Sequence, residues 1–333
     1  MTIGDKTITE GDNGTAIVTY TINLNTVSGK PVTVDYSTQD GTATAGKDYI
    51  ATNGKITFAL GETTKTITVQ VLGDAIDEFD ETFFLNLTNP ENATITKNQA
   101  VTTILDNDVP PVMIIGDKTI TEGHNGTQIL NFTVSLNTAS SKAISVKYTT
   151  ANGTATAGSD YTATNGILNF AAGETTKTIA VQIIGDRLDE QNENFFVNLS
   201  EAINANIIDT QAIATILDDD ESPTLQVQAV PGELWPPNHK MVEIQVNKQV
   251  SDDFDANPTV RLISITSNEP DNGLGDGDTA GDIEIRPNGK IFLRAERSGN
   301  GNGRVYTLTY SATDSAGNVT YSTTQVKVPK NKS

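Results

Sequence analysis

What constrains this chain most is that it spells one passage twice at a fixed spacing. Ile3-Gly-Asp-Lys-Thr-Ile-Thr-Glu-Gly11 returns unchanged at Ile115 to Gly123, and Gly41-Thr-Ala-Thr-Ala-Gly46 returns at Gly153 to Gly158. Gly61-Glu-Thr-Thr-Lys-Thr-Ile67 and Thr103-Ile-Leu-Asp106 return at Gly173 to Ile179 and Thr215 to Asp218, each 112 residues on. The constant offset means that neither copy has gained or lost a residue. A period well beyond the ~20 to 50 residues of a solenoid unit means that a whole domain is repeated. What recurs is acidic: Glu10, Asp48, Asp74, Asp77, Glu78, Glu81 and Asp106 match Glu122, Asp160, Asp186, Asp189, Glu190, Glu193 and Asp218.

Inside each copy the apolar residues alternate with polar ones, as in Ala16, Val18, Tyr20, Ile22 and Leu24, or Phe83, Leu85 and Leu87. Period two, carried by Val, Ile, Thr, Phe and Tyr, reads as half-buried strands. Roughly seven such strands per copy, separated by Gly, Asn, Asp and Pro, match an antiparallel sandwich of the immunoglobulin type. After Pro223 the repeat stops, but strand patterns continue at Leu225 to Ala229, Val242 to Val246, Val260 to Ile265, Lys290 to Arg294, Tyr306 to Ala312 and Thr320 to Val328. The predicted fold class is all-β, with three tandem immunoglobulin-like antiparallel β-sandwiches at residues 1–109, 110–222 and 223–333. The links, Asp108-Val-Pro-Pro-Val112 and Asp219-Asp-Glu-Ser-Pro223, are short and carry proline, which predicts a semi-rigid file of domains.

A formal charge of -20, from 22 basic and 42 acidic residues, argues against a nucleic-acid partner, whose backbone needs clustered Lys and Arg. The same charge disfavours anionic membrane surfaces. No apolar run approaches the ~20 residues of a membrane span, so no direct membrane insertion is expected. The absence of cysteine excludes disulfides, thiolate catalysis and Cys-ligated metals. Met1-Thr-Ile-Gly-Asp5 lacks the basic and apolar regions of a signal peptide, and the chain starts abruptly within a repeat unit. The expectation is a segment of a longer protein.

The repeated acids are placed to meet. Glu10 precedes the first long strand, Asp74 to Glu81 form a turn between two strands, Asp106 and Asp108 follow the last one, and Asp40 closes another. In a sandwich these loops can share one end. Six or seven carboxylates so close raise one another's pKa and strain the compact state unless a cation joins them. Calcium takes about 6 to 8 oxygen ligands in forgiving geometry, whereas transition metals favour imidazole and thiolate. The plainer alternative is a solvated acidic turn beside an ordinary linker.

Asp40-Gly-Thr-Ala-Thr-Ala-Gly-Lys-Asp-Tyr49, Gly61-Glu-Thr-Thr-Lys65, Gly73-Asp-Ala-Ile-Asp-Glu-Phe-Asp-Glu-Thr-Phe83 and Ile104-Leu-Asp-Asn-Asp108 together resemble the Calx-β domain. That module occurs in the regulatory loop of sodium/calcium exchangers, in integrin β4 and in bacterial surface proteins. The resemblance spans both repeats and implies Ca2+ bound at one end of each sandwich. By motif, the implied ligands are Glu10, Asp40, Asp74, Glu78, Asp106 and Asp108 with the carbonyl of Ile76. In the second copy they are Glu122, Asp186, Glu190, Asp218, Asp219 and Asp220 with the carbonyl of Leu188. The copies depart from the pattern at three places. Asn152 replaces the acid at Asp40, Asn107 interrupts the first terminal triplet, and Gly73 and Gly185 stand where calcium-rich members carry a further Asp. Asp48 and Asp160 read as turn-fastening residues.

In the third region, Leu234-Trp-Pro-Pro-Asn-His-Lys-Met241 holds the only Trp. Trp235 is expected to plug the sandwich rather than stack on a sugar. Asp271 to Asp282 has the composition of a calcium loop but not the EF-hand spacing, and would need Asp252, Asp253 or Asp314 beside it. The tail around Tyr310 to Asn318 resembles bacterial Ig-like surface domains. No nucleophile elbow, zincin helix, P-loop or dinucleotide fingerprint is present, so the reading is non-enzymatic. The expectation is a calcium-binding segment of an extracellular or cell-surface protein, a calcium-rigidified spacer or adhesion module with surface proteins or polysaccharide as partners. The alternatives are a calcium-sensing regulatory module of a membrane transporter and a carbohydrate-binding appendage of a secreted hydrolase.

Overall fold

The computed structural model describes residues 1–271, 280–299 and 301–331, and every regular element among them is a strand. Among the described residues no helix is long and apolar enough to cross a membrane. Repeat one holds β1 (Lys6–Thr9), β2 (Gly14–Asn23), β3 (Val32–Asp40), β4 (Asn53–Phe58), β5 (Thr64–Gly73), β6 (Glu81–Glu91) and β7 (Gln99–Leu105). Repeat two holds β8 (Val112–Ile115), β9 (Lys118–Thr121), β10 (Gly126–Leu136), β11 (Ile144–Asn152), β12 (Asn165–Phe170), β13 (Thr176–Gly185), β14 (Glu193–Ile203), β15 (Asn206–Ile207) and β16 (Gln211–Leu217). The remainder holds β17 (Thr224–Val230), β18 (Met241–Ser251), β19 (Thr259–Ser267), β20 (Ile283–Ile285), β21 (Ile291–Arg294), β22 (Gly303–Thr313) and β23 (Val319–Pro329).

The chain divides into two compact units. The first comprises Met1–Thr119, Ile129–Gln182 and Asn194–Thr215, and the second Ile120–Gln128, Ile183–Glu193 and Ile216–Ser333. In repeat one a sheet ordered β1-β7-β6-β3-β4 faces the β2-β5 pair. The alternation dictates this: Val18, Tyr20, Ile22, Ile67, Val69 and Val71 on the pair, and Val34, Phe58, Phe83 and Leu85 on the sheet, fall into one buried cluster between the layers. Tyr49 stacks on Phe83 at 4.2 Å, and Tyr161 on Phe195 at 4.1 Å, so the Gly-rich motif anchors each core the same way. Repeat two forms sheets ordered β12-β11-β14-β16-β9 and β13-β10-β8-β15. Residues beyond 223 form sheets ordered β17-β18-β21-β20 and β19-β22-β23 over a core that includes Leu225, Leu293, Tyr306, Leu308 and Val326.

Every strand expected from alternation is present. The additional ones, β1, β8, β9, β15 and β20, run only 2 to 4 residues, too short for a period to register in the sequence. Of these, β1 matters most. It pairs in parallel with β7, setting Thr9 opposite Leu105, and so carries Glu10 to the end where Asp106 begins.

The expected place of Trp235 is corrected. It is 40% exposed, and its neighbour Leu234, at 2%, fills the core instead. Part of the Asp271 to Asp282 loop lies outside the described residues. At its ends, Asp271 accepts bonds from the Gly281 and Asp282 amides, while Asp282 pairs with Arg294 and the fully buried Arg304. Asp252 and Asp314 hold amides of their own turns.

Candidate cation-binding sites

The parallel β1–β7 contact builds the first site. The Glu10 amide donates to the Leu105 carbonyl at 3.3 Å, which fixes Glu10 beside the residues leaving β7. Glu10, Asp106 and Asp108 then each present an oxygen within 4.8 Å of one another. The turn after β5 is fastened by one acid of its own and one from the end of β7. Asp74 Oδ1 accepts the Ile76 amide at 2.8 Å, and Asp106 Oδ2 accepts the Glu78 amide at 3.1 Å. A second triad, Asp48, Glu78 and Glu81, also draws on that turn, with Lys47 Nζ 2.8 Å from Glu78 Oε1.

Repeat two rebuilds this in the second unit. The Glu122 amide donates to Leu217 at 3.1 Å, Asp186 Oδ1 accepts the Leu188 amide at 2.8 Å, and Asp218 Oδ2 accepts the Glu190 amide at 3.1 Å. Glu122, Asp218 and Asp220 form the matching triad. A further group has no counterpart in repeat one: His124, Asp219 and Asp220.

The charges are costly as they stand. Burial, then Glu78, Asp106, Asp74 and Asp108, push Glu10 up to about 7, and burial, then Asp186, Asp218, Glu190 and Asp220, push Glu122 up to about 8. Burial and Asp48 raise Glu81 to about 7. Asp108 Oδ2 and Asp220 Oδ2 are buried without any hydrogen-bond partner, at equivalent places in the two copies. A buried carboxylate oxygen left unpaired is expensive. Oxygen donors, mutual repulsion and two orphaned oxygens fit a hard divalent cation of the calcium type.

The sequence-predicted residues divide into two groups. Glu10, Asp74, Glu78, Asp106 and Asp108 gather in repeat one, and Glu122, Asp186, Glu190, Asp218 and Asp220 in repeat two. Ile76 and Leu188 sit in the Asx turns of Asp74 and Asp186. Asp40 belongs to no triad. Its Oδ1 accepts the Ala45 amide at 2.9 Å and the Tyr49 hydroxyl at 2.6 Å, and Asn152 Oδ1 accepts Ala157 and Tyr161 at 3.0 and 2.6 Å. Acid and amide do the same fastening. Asn107 and Asp219 are likewise equivalent, accepting the Gly11 and Gly123 amides at 2.9 and 3.0 Å. Gly73 and Gly185 do not stand as missing ligands: a Cβ there would strike the Gly11 or Gly123 carbonyl. Asp48 does fasten its turn, accepting the Thr44 amide at 2.7 Å, but it also joins a triad. Glu81 and His124 were missed as site residues. Glu81 recurs at Glu193, whereas His124 shows only as the exchange of Asp12 at the repeat offset.

Each of these turns also contacts a later stretch of the chain. Asp77, 2% exposed, takes Lys142 Nζ at 2.7 Å and the Ser140 hydroxyl at 3.0 Å, while Lys142 stands 3.5 Å from Asp106. In the second unit Asp189 receives Ser222, and Asn318 bridges the Asp189 amide and the Arg187 carbonyl at 3.0 and 2.7 Å.

The chain is similar to known proteins. The sequence profile of the Calx-beta domain matches residues 5–108 and again 109–220. Sodium/calcium exchanger 1 of Canis lupus familiaris is 33% identical over 190 residues, covering 51% of this chain and 20% of the exchanger. Sodium/calcium exchanger 3 of Homo sapiens is 32% identical over 195 residues, covering 52% and 21%. The chain thus spans about a fifth of the length of these relatives. Among solved structures, CBD12 from CALX1.2 is similar over 64% of this chain and 96% of that one, with 25% identity and a TM-score of 0.31. Mouse cadherin-23 EC22-24 covers 98% and 94%, with 12% identity and a TM-score of 0.31.

Proposed function

Because this chain belongs to the Calx-beta domain family, we propose that it is a calcium-sensing regulatory module, in which each repeat binds calcium at one end and the bound state is felt by the adjoining segment. One observation carries the reading: the orphaned, buried oxygens of Asp108 and Asp220 recur at the same place in both acid clusters. In repeat one Glu10, Asp74, Glu78, Asp106, Asp108 and the Ile76 carbonyl would hold the ion, with Asp48 and Glu81 holding another. In repeat two the holders would be Glu122, Asp186, Glu190, Asp218, Asp220 and the Leu188 carbonyl. Asp40 fastens its turn, and Asp219 does likewise. The exchanger relatives favour regulation of an attached transporter over the other roles.

A second reading, the calcium-rigidified spacer of an extracellular or surface protein, is favoured by Asp106, which stands both in the first triad and beside Lys142. In either reading residues 223–333 form a separate Ig-like domain after two Calx-β domains at 1–109 and 110–222. Thermal unfolding with calcium and with chelator tests the proposal. A ligand bound only by the folded state stabilises by about 2.7 kcal/mol at a hundredfold excess over Kd, so the midpoint should rise by several degrees. Identical midpoints would overturn both readings.

A further inference from the structure

Position 12 of repeat one is aspartate, and the position 112 residues later is His124. That exchange changes what the loop end can bind. In repeat one Asp12 accepts the Asn107 side-chain amide at 2.7 Å, an all-oxygen and amide arrangement. In repeat two the imidazole stands between two carboxylates, with Nδ1 2.7 Å from Asp220 Oδ1 and Nε2 3.7 Å from Asp219 Oδ2. The ring is held in place: it packs on Phe254 with centroids 4.2 Å apart. It is also reachable, lining a surface pocket with Asp186, Leu188 and Ser315. Asp220 supplies the second observation. Its side chain is 2% exposed, and its Oδ2 has no hydrogen-bond partner.

One imidazole and two carboxylates, each offering an atom within 4.8 Å of the others, form the ligand set of a borderline divalent metal with an open fourth position. Two ligands on a tetrahedral zinc ion lie about 3.3 Å apart for bonds of ~2.0 Å. A single ion takes only one ring nitrogen, so one of the two contacts, 2.7 Å from Nδ1 or 3.7 Å from Nε2, is the ligand separation to set beside that value, and the other orients the ring. We propose that repeat two carries a second kind of cation site, His124–Asp219–Asp220, which takes zinc or a similar borderline metal and has no equivalent in repeat one. The site adjoins the calcium cluster proposed above through the shared Asp220, so zinc and calcium compete in repeat two alone.

The chain has only two histidines, so long-range nitrogen–proton spectra of the imidazoles resolve both rings. His239, paired through Nδ1 with the single carboxylate of Glu296, serves as the internal reference. Titrating zinc chloride into the chelator-treated full chain should shift the ring nitrogens of His124 and leave those of His239 in place. Calorimetry should show one zinc event, weakened at least tenfold by His124→Asn and doubled in stoichiometry by the double variant Asp12→His, Asn107→Asp, which completes the same three ligands in repeat one. Prior zinc loading should suppress calcium heat from repeat two and spare repeat one. Zinc that moves neither ring, or moves His239 instead, would overturn the proposal, as would undiminished zinc affinity in His124→Asn. If calcium gives no heat while zinc still shifts His124, the calcium reading falls and this one stands.

Discussion

The two loop ends share five acids position for position, Glu10, Asp74, Glu78, Asp106 and Asp108 against Glu122, Asp186, Glu190, Asp218 and Asp220, yet they close on different chemistry. In repeat one the turn after β5 is sealed by charge: the buried Asp77 carboxylate meets Lys142, which also lies 3.5 Å from Asp106. In repeat two the equivalent Asp189 meets serine and amide groups, and the group set against Asp219 and Asp220 is an imidazole, His124. The acids lie inside the repeated motifs. The groups that answer them lie outside, where the copies have diverged. Two sites with one ligand set can therefore differ in stability, in pH response and in metal preference.

The largest expected difference comes from the buried ion pair. Lys142 and Asp77 side chains are 15% and 2% exposed, and removing one partner of such a pair strands the other charge at a cost of about 3 kcal/mol. Lys142→Met should lower stability by that amount in urea unfolding without calcium. Asn318→Ala removes neutral hydrogen bonds at the corresponding place and should cost about 1 kcal/mol. Equal losses would erase the distinction between a charged and a neutral closure.

Calcium affinity should separate the repeats next. Asp108→Asn and Asp220→Asn each replace a buried, unpartnered carboxylate oxygen by an amide. Affinity follows ligand charge, so each change should weaken its own repeat by about tenfold and leave the other phase of a calorimetric titration intact. Loss of the same phase by both variants would mean that the clusters do not act separately.

Without metal, pH should distinguish them too. Glu10 and Glu122 sit at about 7 and about 8 in the folded protein against the usual 4.5, so the native state keeps protons that the unfolded chain releases. A raised acid stabilises the fold fully below about 4.5 and loses that contribution as pH climbs through the folded value. The chelated protein should therefore lose stability from pH 4.5 upward, with the loss from repeat one ending near 7 and that from repeat two near 8. Melting midpoints across that range, with Glu10→Gln and Glu122→Gln as controls, would show it. A midpoint that rises with pH would contradict the electrostatics of both sites.

Much of this was legible in the sequence. Alternation along β2, β5 and β6 located the strands because one face of each is buried and the other wet. The repeat offset marked the acids that gather, since a motif fixed in register in both copies is fixed in space. What the sequence hid was local. β1 is four residues, too short to show a period, yet its parallel pairing with β7 carries Glu10 to Asp106. Gly73 reads as an absent ligand until the Gly11 carbonyl is seen where its Cβ would stand. Asp48 reads as a turn-former, and the fold also gathers it with Glu78 and Glu81. Trp235 was misplaced because hydrophobicity alone cannot tell it from its neighbour Leu234.

The smallest expected effect is at the position where the sequences differ most visibly. Asp40 and Asn152 look like a ligand and its loss, and on charge alone repeat two should bind calcium more weakly for it. The structure gives both the same work: one side-chain oxygen receives a backbone amide five residues on and a tyrosine hydroxyl nine residues on. An amide oxygen accepts those bonds as a carboxylate oxygen does, with somewhat less strength because it is uncharged. Asp40→Asn should therefore shift stability by no more than about 1 kcal/mol and leave both calcium phases within twofold of wild type, and so should Asn152→Asp. A tenfold change in either phase would restore position 40 to the ligand set and make the contrast between the repeats one of ligand charge rather than of closure.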